Sequence, residues 1–89
     1  MAWTIEFEPA AKEELAKLDK VVALRILRFL SQRVALMENP RDIGEALKGS
    51  ALGEFWKYRV GGYRLICRIL DARITIIVIR IGNRRDVYR

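Results

Sequence analysis

The sequence contains no histidine, only one cysteine and no long apolar run. Without histidine, the chain lacks the commonest acid–base group near neutral pH. Cys67 cannot form an internal disulfide, which fits a reducing cytoplasm. No stretch of about 18 uncharged apolar residues is present, so we expect no membrane span and no membrane partner. The N-terminus has no basic region followed by an apolar run, so we predict no signal peptide and a cytoplasmic location.

The residues that carry chemistry narrow the choice of reactions further. No His/Cys/Asp cluster has the spacing of a metal site, so we predict no metal and no other cofactor. Ser31 and Ser50 have no histidine partner, and no glycine-rich phosphate loop is present. An enzyme built on this sequence would use Arg, Lys and Tyr, with Asp86 as a further candidate. Because arginine binds phosphate bidentately and neutralises charge on a pentavalent phosphorane, these residues favour phosphoryl chemistry.

The positive charge is concentrated at one end of the chain. Residues 1–54 hold eight Lys/Arg and nine Asp/Glu, whereas residues 55–89 hold nine Lys/Arg and two Asp. The net charge of +6 therefore comes entirely from residues 55–89. Such asymmetry indicates a polyanionic partner, whether nucleic acid, a membrane surface or an acidic protein segment. The alternative is a basic surface that serves solubility alone.

The periodicity predicts an α+β protein with the order β-α-α-β-β-β, in which the last three strands form a meander. With 89 residues, we expect one domain over 1–89. The expected elements are a strand at Trp3–Phe7, a helix at Ala10–Leu18 after Pro9, a helix from an N-cap at Asp19 to about Met37, one helical turn at Ile43–Lys48, and strands at Phe55–Val60, Tyr63–Leu70 and Arg73–Ile81.

The second helix has more apolar residues than one core-facing stripe needs. Its predicted stripe is Val22, Ile26, Phe29, Leu30 and Met37, which leaves Leu24, Leu27, Val34 and Ala35 among Arg25, Arg28 and Arg33. One interpretation is a wide core face. The other is a surface that a partner covers, because contiguous exposed apolar patches tend to be binding sites.

Gly61-Gly62 predicts a tight hairpin turn and thereby sorts the neighbouring side chains. With these two residues in the turn, Val60 faces Tyr63, Arg59 faces Arg64 and Lys57 faces Ile66. One face then carries Trp56, Tyr58, Val60, Tyr63, Leu65, Cys67 and Ile69, and the other carries Lys57, Arg59, Arg64 and Arg68. A like-charged pair opposed in this way is unfavourable by a fraction of about 1 kcal/mol, which points to a site for negative charge. The alternative is an ordinary solvated face.

The last strand leads into a basic tail. The tail contains Arg84, Arg85, Arg89 and Tyr88. Tyr88 is a candidate for stacking on a base, for proton donation or for covering the edge of the core. We expect Ile66, Ile77 and Ile79 to share the face of the cations, and we expect something outside the chain to cover part of that face.

Three segments carry a family resemblance that spans nearly the whole chain. "FEPAAKEELAKLDK", then "WKYRVGGYRLICRI", then "IGNRRDVY" resemble the RelE/ParE superfamily of bacterial type II toxins, and most closely its RelE branch. The most specific feature is the pairing of the R-V-G-x-Y-R hairpin with I-G-x-R-x-x-V-Y about twenty residues later. The resemblance implies the compact RelE-like fold, in which two N-terminal helices pack on a small antiparallel sheet and the N-terminal strand joins the C-terminal meander.

The resemblance also implies an activity and a set of working residues. RelE-type toxins cut mRNA in the ribosomal A site by attack of the ribose 2′-hydroxyl, which leaves a 2′,3′-cyclic phosphate. The family's catalytic positions fall at Lys57, Arg59, Arg64, Arg84 and Tyr88. Arg64 and Arg84 would bind phosphate and transition-state charge, Lys57 or Arg59 would accept the proton or support that step, and Tyr88 would stack or relay a proton. Arg68, Arg85 and Arg89 would bind RNA.

The resemblance implies protein partners as well. A RelB-like antitoxin would wrap the toxin, and the pair would bind operator DNA and repress its own promoter. We predict antitoxin contacts at Leu24, Leu27, Val34, Ile66 and Ile77. The alternative is a ParE-like toxin, which inhibits DNA gyrase on the same scaffold without catalysis. The set Lys57, Arg59, Arg64, Arg84 and Tyr88 favours the ribonuclease, because a gyrase inhibitor does not need it.

Overall fold

The chain folds as two helices against a five-stranded mixed sheet. The computed structural model describes residues 2–47 and 54–83. The strands are β1 (Thr4–Phe7), β2 (Glu45–Ala46), β3 (Trp56–Val60), β4 (Tyr63–Leu70) and β5 (Thr75–Asn83), and the helices are α1 (Pro9–Ala16) and α2 (Lys20–Gln32). Within the described residues, no helix is long and apolar enough to cross a bilayer. The predicted α+β class is confirmed.

The sheet brings the N-terminal strand beside the last one. Its order is β1-β5-β4-β3-β2, with β1 parallel to β5 and the other pairs antiparallel. The core lies between the helices and one sheet face, where Ala11, Ile26 and Leu30 of the helices pack with Tyr58, Leu65, Cys67, Ile76, Val78 and Ile81. The predicted joining of the first strand to the meander is confirmed, but the sheet is mixed rather than antiparallel because β1 runs parallel to β5. The strand β2 is an addition that the sequence did not indicate.

The second helix ends earlier than predicted. It stops at Gln32, and Arg33 (φ −120°, ψ −66°) leads into a 3₁₀ turn at Val34–Leu36. The tighter turn places Val34 and Ala35 in the core. It also lets the backbone N–H of Trp3 donate to the Ala35 carbonyl at 2.7 Å. The predicted continuation to Met37 is therefore wrong, because burial of Val34 and docking of β1 override simple helical periodicity.

The loop after α2 also differs from prediction. No helical turn forms at residues 43–47; Pro40–Asp42 makes a 3₁₀ turn and Glu45–Ala46 forms β2. Gly44 has φ of +78°, which is incompatible with a regular helix. The indole N–H of Trp56 donates to the Ile43 carbonyl at 2.9 Å, which ties the loop to β3.

The turn between β4 and β5 is longer than predicted, and the pairing of these two strands is less regular. A 3₁₀ turn at Asp71–Arg73 ends at Ile74 in a left-handed conformation (φ 47°, ψ 49°), so β5 begins at Thr75 rather than Arg73. The register then shifts between Ile66 and Cys67, because Cys67 pairs with Val78 and Ile66 pairs with Arg80. Ile79 falls at this bulge, between the paired residues Val78 and Arg80, whereas Ile77 pairs with Arg68 as the predicted faces require.

Glu14 of α1 holds the end of β5. That strand runs to Asn83, beyond Val78, which is the last β5 residue that pairs with β1. The Glu14 carboxylate accepts the Ile81 N–H at 2.9 Å and pairs with the Arg80 guanidinium at 3.2 Å. A side chain thus replaces the missing strand and fixes the end of β5 beside β4.

Candidate functional site

The hairpin of β3 and β4 forms with the predicted register. Arg59 pairs with Arg64, Lys57 with Ile66 and Val60 with Tyr63. Gly61 has φ of +60°, which a primed turn requires at its first central residue. The ladder therefore places Lys57, Arg59 and Arg64 on the face that the sequence assigned to the cations.

These cations differ sharply in burial. Arg59 and Arg68 are exposed, whereas Arg64 is only 6% exposed. The Arg64 Nε is buried and finds no hydrogen-bond acceptor among the described residues. A buried donor without a partner lowers stability by about 1–3 kcal/mol, and by more when it is charged. This arginine is therefore a candidate for binding an anion.

Lys57 has a carboxylate neighbour that sequence reasoning missed. Glu45 lies opposite Lys57 in the β2–β3 ladder, and its Oε1 is 3.0 Å from the Lys57 Nζ. The lysine side chain is 16% exposed and the glutamate side chain 62% exposed. The ion pair therefore holds the ammonium group of Lys57 at the edge of the hairpin. The sequence signal for this contact was weak, because a two-residue strand has no periodicity.

Gly44 determines whether β2 can reach β3. A Cβ at this position would lie 2.5 Å from the Lys57 carbonyl oxygen and 2.7 Å from the Trp56 Nε1. We expect Gly44→Ala to destabilise the fold by about 2 kcal/mol or more, because it adds this overlap to an unfavourable positive φ. Urea denaturation would measure the loss.

Gly62→Ala is the matched control for that measurement. A Cβ on Gly62 would meet no described atom within 4 Å beyond its chain neighbours, and Gly62 does not have a positive φ. We expect its change in stability to stay within about 0.5 kcal/mol. Equal effects of the two substitutions would contradict the role given to Gly44.

A cleft of about 280 Å³ opens beside the hairpin, between the end of α2 and β3. Its lining includes two predicted catalytic residues, Lys57 and Arg59. It also includes three residues that the sequence did not single out as functional, which are Phe29, Arg33 and Glu45. The Arg33 guanidinium lies 6.0 Å from the Phe29 ring centroid. The i, i+4 spacing of Phe29 and Arg33 could have indicated a shared helix face, but Phe29 was assigned to the core and Arg33 only to the gaps between apolar residues.

Two titratable groups near the cleft are structural. Burial is the main cause that raises the pKa of Tyr58, and its hydroxyl donates to the Pro40 carbonyl at 2.5 Å. Burial likewise raises the pKa of the Cys67 thiol, which lies in the core. Both groups stay neutral in the folded protein near neutral pH, so neither is a candidate base.

The predicted tail residues are beyond the part of the chain that the structure describes. These residues are Arg84, Arg85, Tyr88 and Arg89. The last described residue, Asn83, pairs with Tyr63, and Gly82 pairs with Arg64. Gly82 contributes no side chain beside Arg64.

The predicted antitoxin contacts fall into accessible and inaccessible groups. Leu24 is 46% exposed and Leu27 is 39% exposed, whereas Val34 is fully buried in the core and Ile66 is 6% exposed. Ile77 is half-buried opposite Arg68. The prediction needs correction at Val34 and Ile66, because Val34 packs in the core after the 3₁₀ turn and Ile66 has almost no accessible surface.

Two apolar grooves meet at Leu27. One, of about 510 Å³, is lined mainly by Phe7, Leu15, Leu18, Ala23 and Leu27, with Lys12 and Lys20 also in the lining. The second, of about 240 Å³, shares Phe7 and Leu27 with the first. A partner that inserts apolar side chains and carries negative charge fits these two grooves.

Comparison with known proteins identifies similar sequences and structures. Residues 5–88 match the family described as "ParE toxin of type II toxin-antitoxin system, parDE". Toxin RelG from Mycobacterium tuberculosis is 32% identical, over 100% of this chain and 99% of that protein. The mRNA interferase toxin RelE from Escherichia coli is 31% identical, over 99% of this chain and 92% of that protein. A chain in the crystal structure of the toxin–antitoxin complex RelBE2 from M. tuberculosis superposes with a TM-score of 0.81 at 27% identity, covering 97% of this chain and 95% of that one.

Proposed function

Because the chain belongs to the ParE toxin family of type II toxin–antitoxin systems and is a RelE-like toxin, we propose that it is a ribosome-dependent mRNA endoribonuclease. It cuts mRNA in the A site by attack of a ribose 2′-hydroxyl on the adjacent phosphate. The P–O5′ bond breaks, which leaves a 2′,3′-cyclic phosphate on one fragment and a protonated 5′-hydroxyl on the other. The reaction requires no metal ion and no other cofactor, since the arginines supply the positive charge that stabilises the negatively charged phosphorane. The ribosome and its mRNA are therefore the partners of the active toxin in the cytoplasm.

The observation that carries this proposal is the opposed pair Arg59 and Arg64. The ladder holds the two cations directly across from each other, and Arg64 is buried with its Nε unpaired among the described residues. A phosphate at this point would supply the missing acceptor and would relieve the repulsion between the arginines. Such a site binds charge more tightly as it accumulates in the transition state, which is the requirement for catalysis.

Each remaining residue has a proposed role in the same reaction. Arg64 and Arg84 bind the phosphate and its developing charge, and the cations Lys57 and Arg59 support removal of the 2′-hydroxyl proton through their charge. Tyr88 stacks on a base or relays a proton. Arg68, Arg85 and Arg89 hold the RNA backbone. The role of Arg84 rests on the I-G-x-R part of the resemblance, in which Arg84 follows Gly82 by two residues.

We further propose that a RelB-like antitoxin neutralises the toxin by covering the grooves that meet at Leu27. Exposed Leu24 and Leu27 offer apolar contacts, and Lys12 and Lys20 offer cations to an acidic segment. Ile77 contributes on the sheet face, whereas Val34 and Ile66 do not contribute. With this antitoxin bound, the pair binds operator DNA and represses its own operon.

The direct test is cleavage of mRNA on purified translating ribosomes, read by toeprinting. We expect cleavage in the A-site codon and negligible cleavage of the same RNA without ribosomes, since the ribosome positions the attacking hydroxyl. Efficient cutting of free RNA would contradict ribosome dependence.

In bacteria, induction should stop amino-acid incorporation before thymidine incorporation. The opposite order, together with inhibited gyrase supercoiling in vitro, would favour the ParE-like alternative.

A further inference from the structure

The cleft beside the hairpin extends the cation surface around the edge of the sheet. β2 pairs only with Trp56 and Lys57 of β3, so the ladder of β2 stops before Tyr58. The end of α2 lies across from this uncovered part of β3, and the cleft of about 280 Å³ lies between them. Arg59 and Lys57 line it from the sheet, and Arg33 lines it from the helix.

Arg33 rests on an ordered aromatic support. Its guanidinium lies 6.0 Å from the centre of the Phe29 ring, within the range of a cation–π contact. Phe29 packs edge-on against Tyr58, with ring centroids 5.8 Å apart and planes at 65°. The Tyr58 hydroxyl in turn donates to the Pro40 carbonyl. This support reduces the entropy that Arg33 would lose when it binds a ligand.

The arginines in the cleft differ from several elsewhere in having no carboxylate partner among the described residues. Arg41, Arg73 and Arg80 form ion pairs with Asp71, Glu6 and Glu14. Within residues 2–47 and 54–83, no ion pair engages Arg33 or Arg59. The lining also contains the carboxylate of Glu45, which pairs with Lys57 at 3.0 Å. The described lining therefore keeps a net charge of +2, carried by two guanidinium groups that are available to an anion.

We propose that this cleft is a second RNA subsite, in which Arg33 binds a backbone phosphate next to the segment held by the hairpin. The inference rests on the proposed ribonuclease function and extends its binding surface from the sheet to α2. Arg33 positions the RNA and takes no part in the proton transfers. The phosphodiester belongs either to the mRNA or to ribosomal RNA, which present the same chemistry to a guanidinium.

The test compares Arg33→Ala with Arg28→Ala. Both substitutions remove one arginine from the α2 region, but Arg28 is exposed and is not among the residues that line the cleft. We expect Arg33→Ala to raise the KM for programmed ribosomes about tenfold while kcat changes little. The slope of log affinity against log salt concentration should also fall by about 1, which corresponds to one lost phosphate contact. Arg28→Ala should stay close to wild type. Arg33→Lys should recover part of the loss, because lysine keeps the positive charge but cannot bind phosphate with two parallel hydrogen bonds as the guanidinium does.

Two binding measurements identify the source of the phosphate. Weaker binding of Arg33→Ala to a fluorescent single-stranded RNA oligonucleotide assigns the contact to mRNA, whereas weaker binding only to vacant ribosomes assigns it to ribosomal RNA. Wild-type affinity on both probes, or an equal loss with Arg28→Ala, would overturn the subsite.

Melting temperatures check the fold, and Arg33→Gln replaces Arg33→Ala if the alanine variant unfolds. A wild-type protein that does not cleave on ribosomes refutes the proposed function, whereas an active wild type with an unaffected Arg33→Ala refutes only this inference.

Discussion

Arg64→Met should abolish A-site cleavage without destabilising the protein. The substitution removes the guanidinium that we assign to the phosphate, and loss of one such transition-state contact lowers kcat by about 10²–10³-fold. It also removes a buried cation whose Nε is unpaired among the described residues and substitutes an apolar chain of similar length. Replacement of buried charge by apolar groups is often neutral or stabilising. The melting temperature should therefore stay constant or rise while toeprints disappear.

The melting temperature and the cleavage of mRNA together separate a phosphate-binding role of Arg64 from a structural one. Arg73→Met is the matched control, since Arg73 has an exposed side chain that pairs with Glu6 at 3.7 Å near the β4–β5 turn. We expect it to retain cleavage and to change stability by less than about 1 kcal/mol. A fall in melting temperature with normal cleavage in Arg64→Met would mean that the arginine is structural. Arg84→Ala should lose cleavage to a similar extent, because we propose that both arginines bind the same phosphate.

The sequence predicted the hairpin well because two local rules coincide there. Gly61-Gly62 selects a two-residue primed turn, and the alternation of apolar and basic residues allows only one register that buries Tyr58 and Leu65. The observed pairing of Arg59 with Arg64 follows from those rules alone. Local patterns are sufficient wherever the turn and the buried face demand the same register.

The cleft depends on tertiary contacts that no local pattern contains. Glu45 reaches Lys57 only because Gly44 lets the loop approach β3 closely, and a strand of two residues has no readable period. Arg33 shares a helix face with Phe29, but no local pattern shows that this face lies across from β3. The helix α2 also ends at Gln32, well before the Met37 that its periodicity predicts. That early end follows from the burial of Val34 and Ala35, which is a property of the whole core. The register shift between Ile66 and Cys67 is likewise absent from the local pattern of either strand.

Leu27→Asp should release the toxin from its antitoxin while leaving its activity intact. Leu27 lines both apolar grooves, so one substitution places a carboxylate where we expect the apolar side chains of the antitoxin to insert. Loss of a central apolar contact weakens binding by about 2–4 kcal/mol, or about 30- to 1,000-fold in Kd. An added negative charge also repels an acidic partner. Titration of the cognate antitoxin against the purified variant would measure the change.

Leu36→Asp is the control that separates this effect from a general loss of apolar surface. Leu36 is 64% exposed and lies outside both grooves, so its substitution should leave the affinity near that of wild type. Cleavage on ribosomes should persist in both variants, because neither leucine lies in the cleft or on the cation face. In cells, the antitoxin should then rescue growth from Leu36→Asp but not from Leu27→Asp. Full rescue from both would move the antitoxin off the helices and leave the cation face of the sheet as its binding surface.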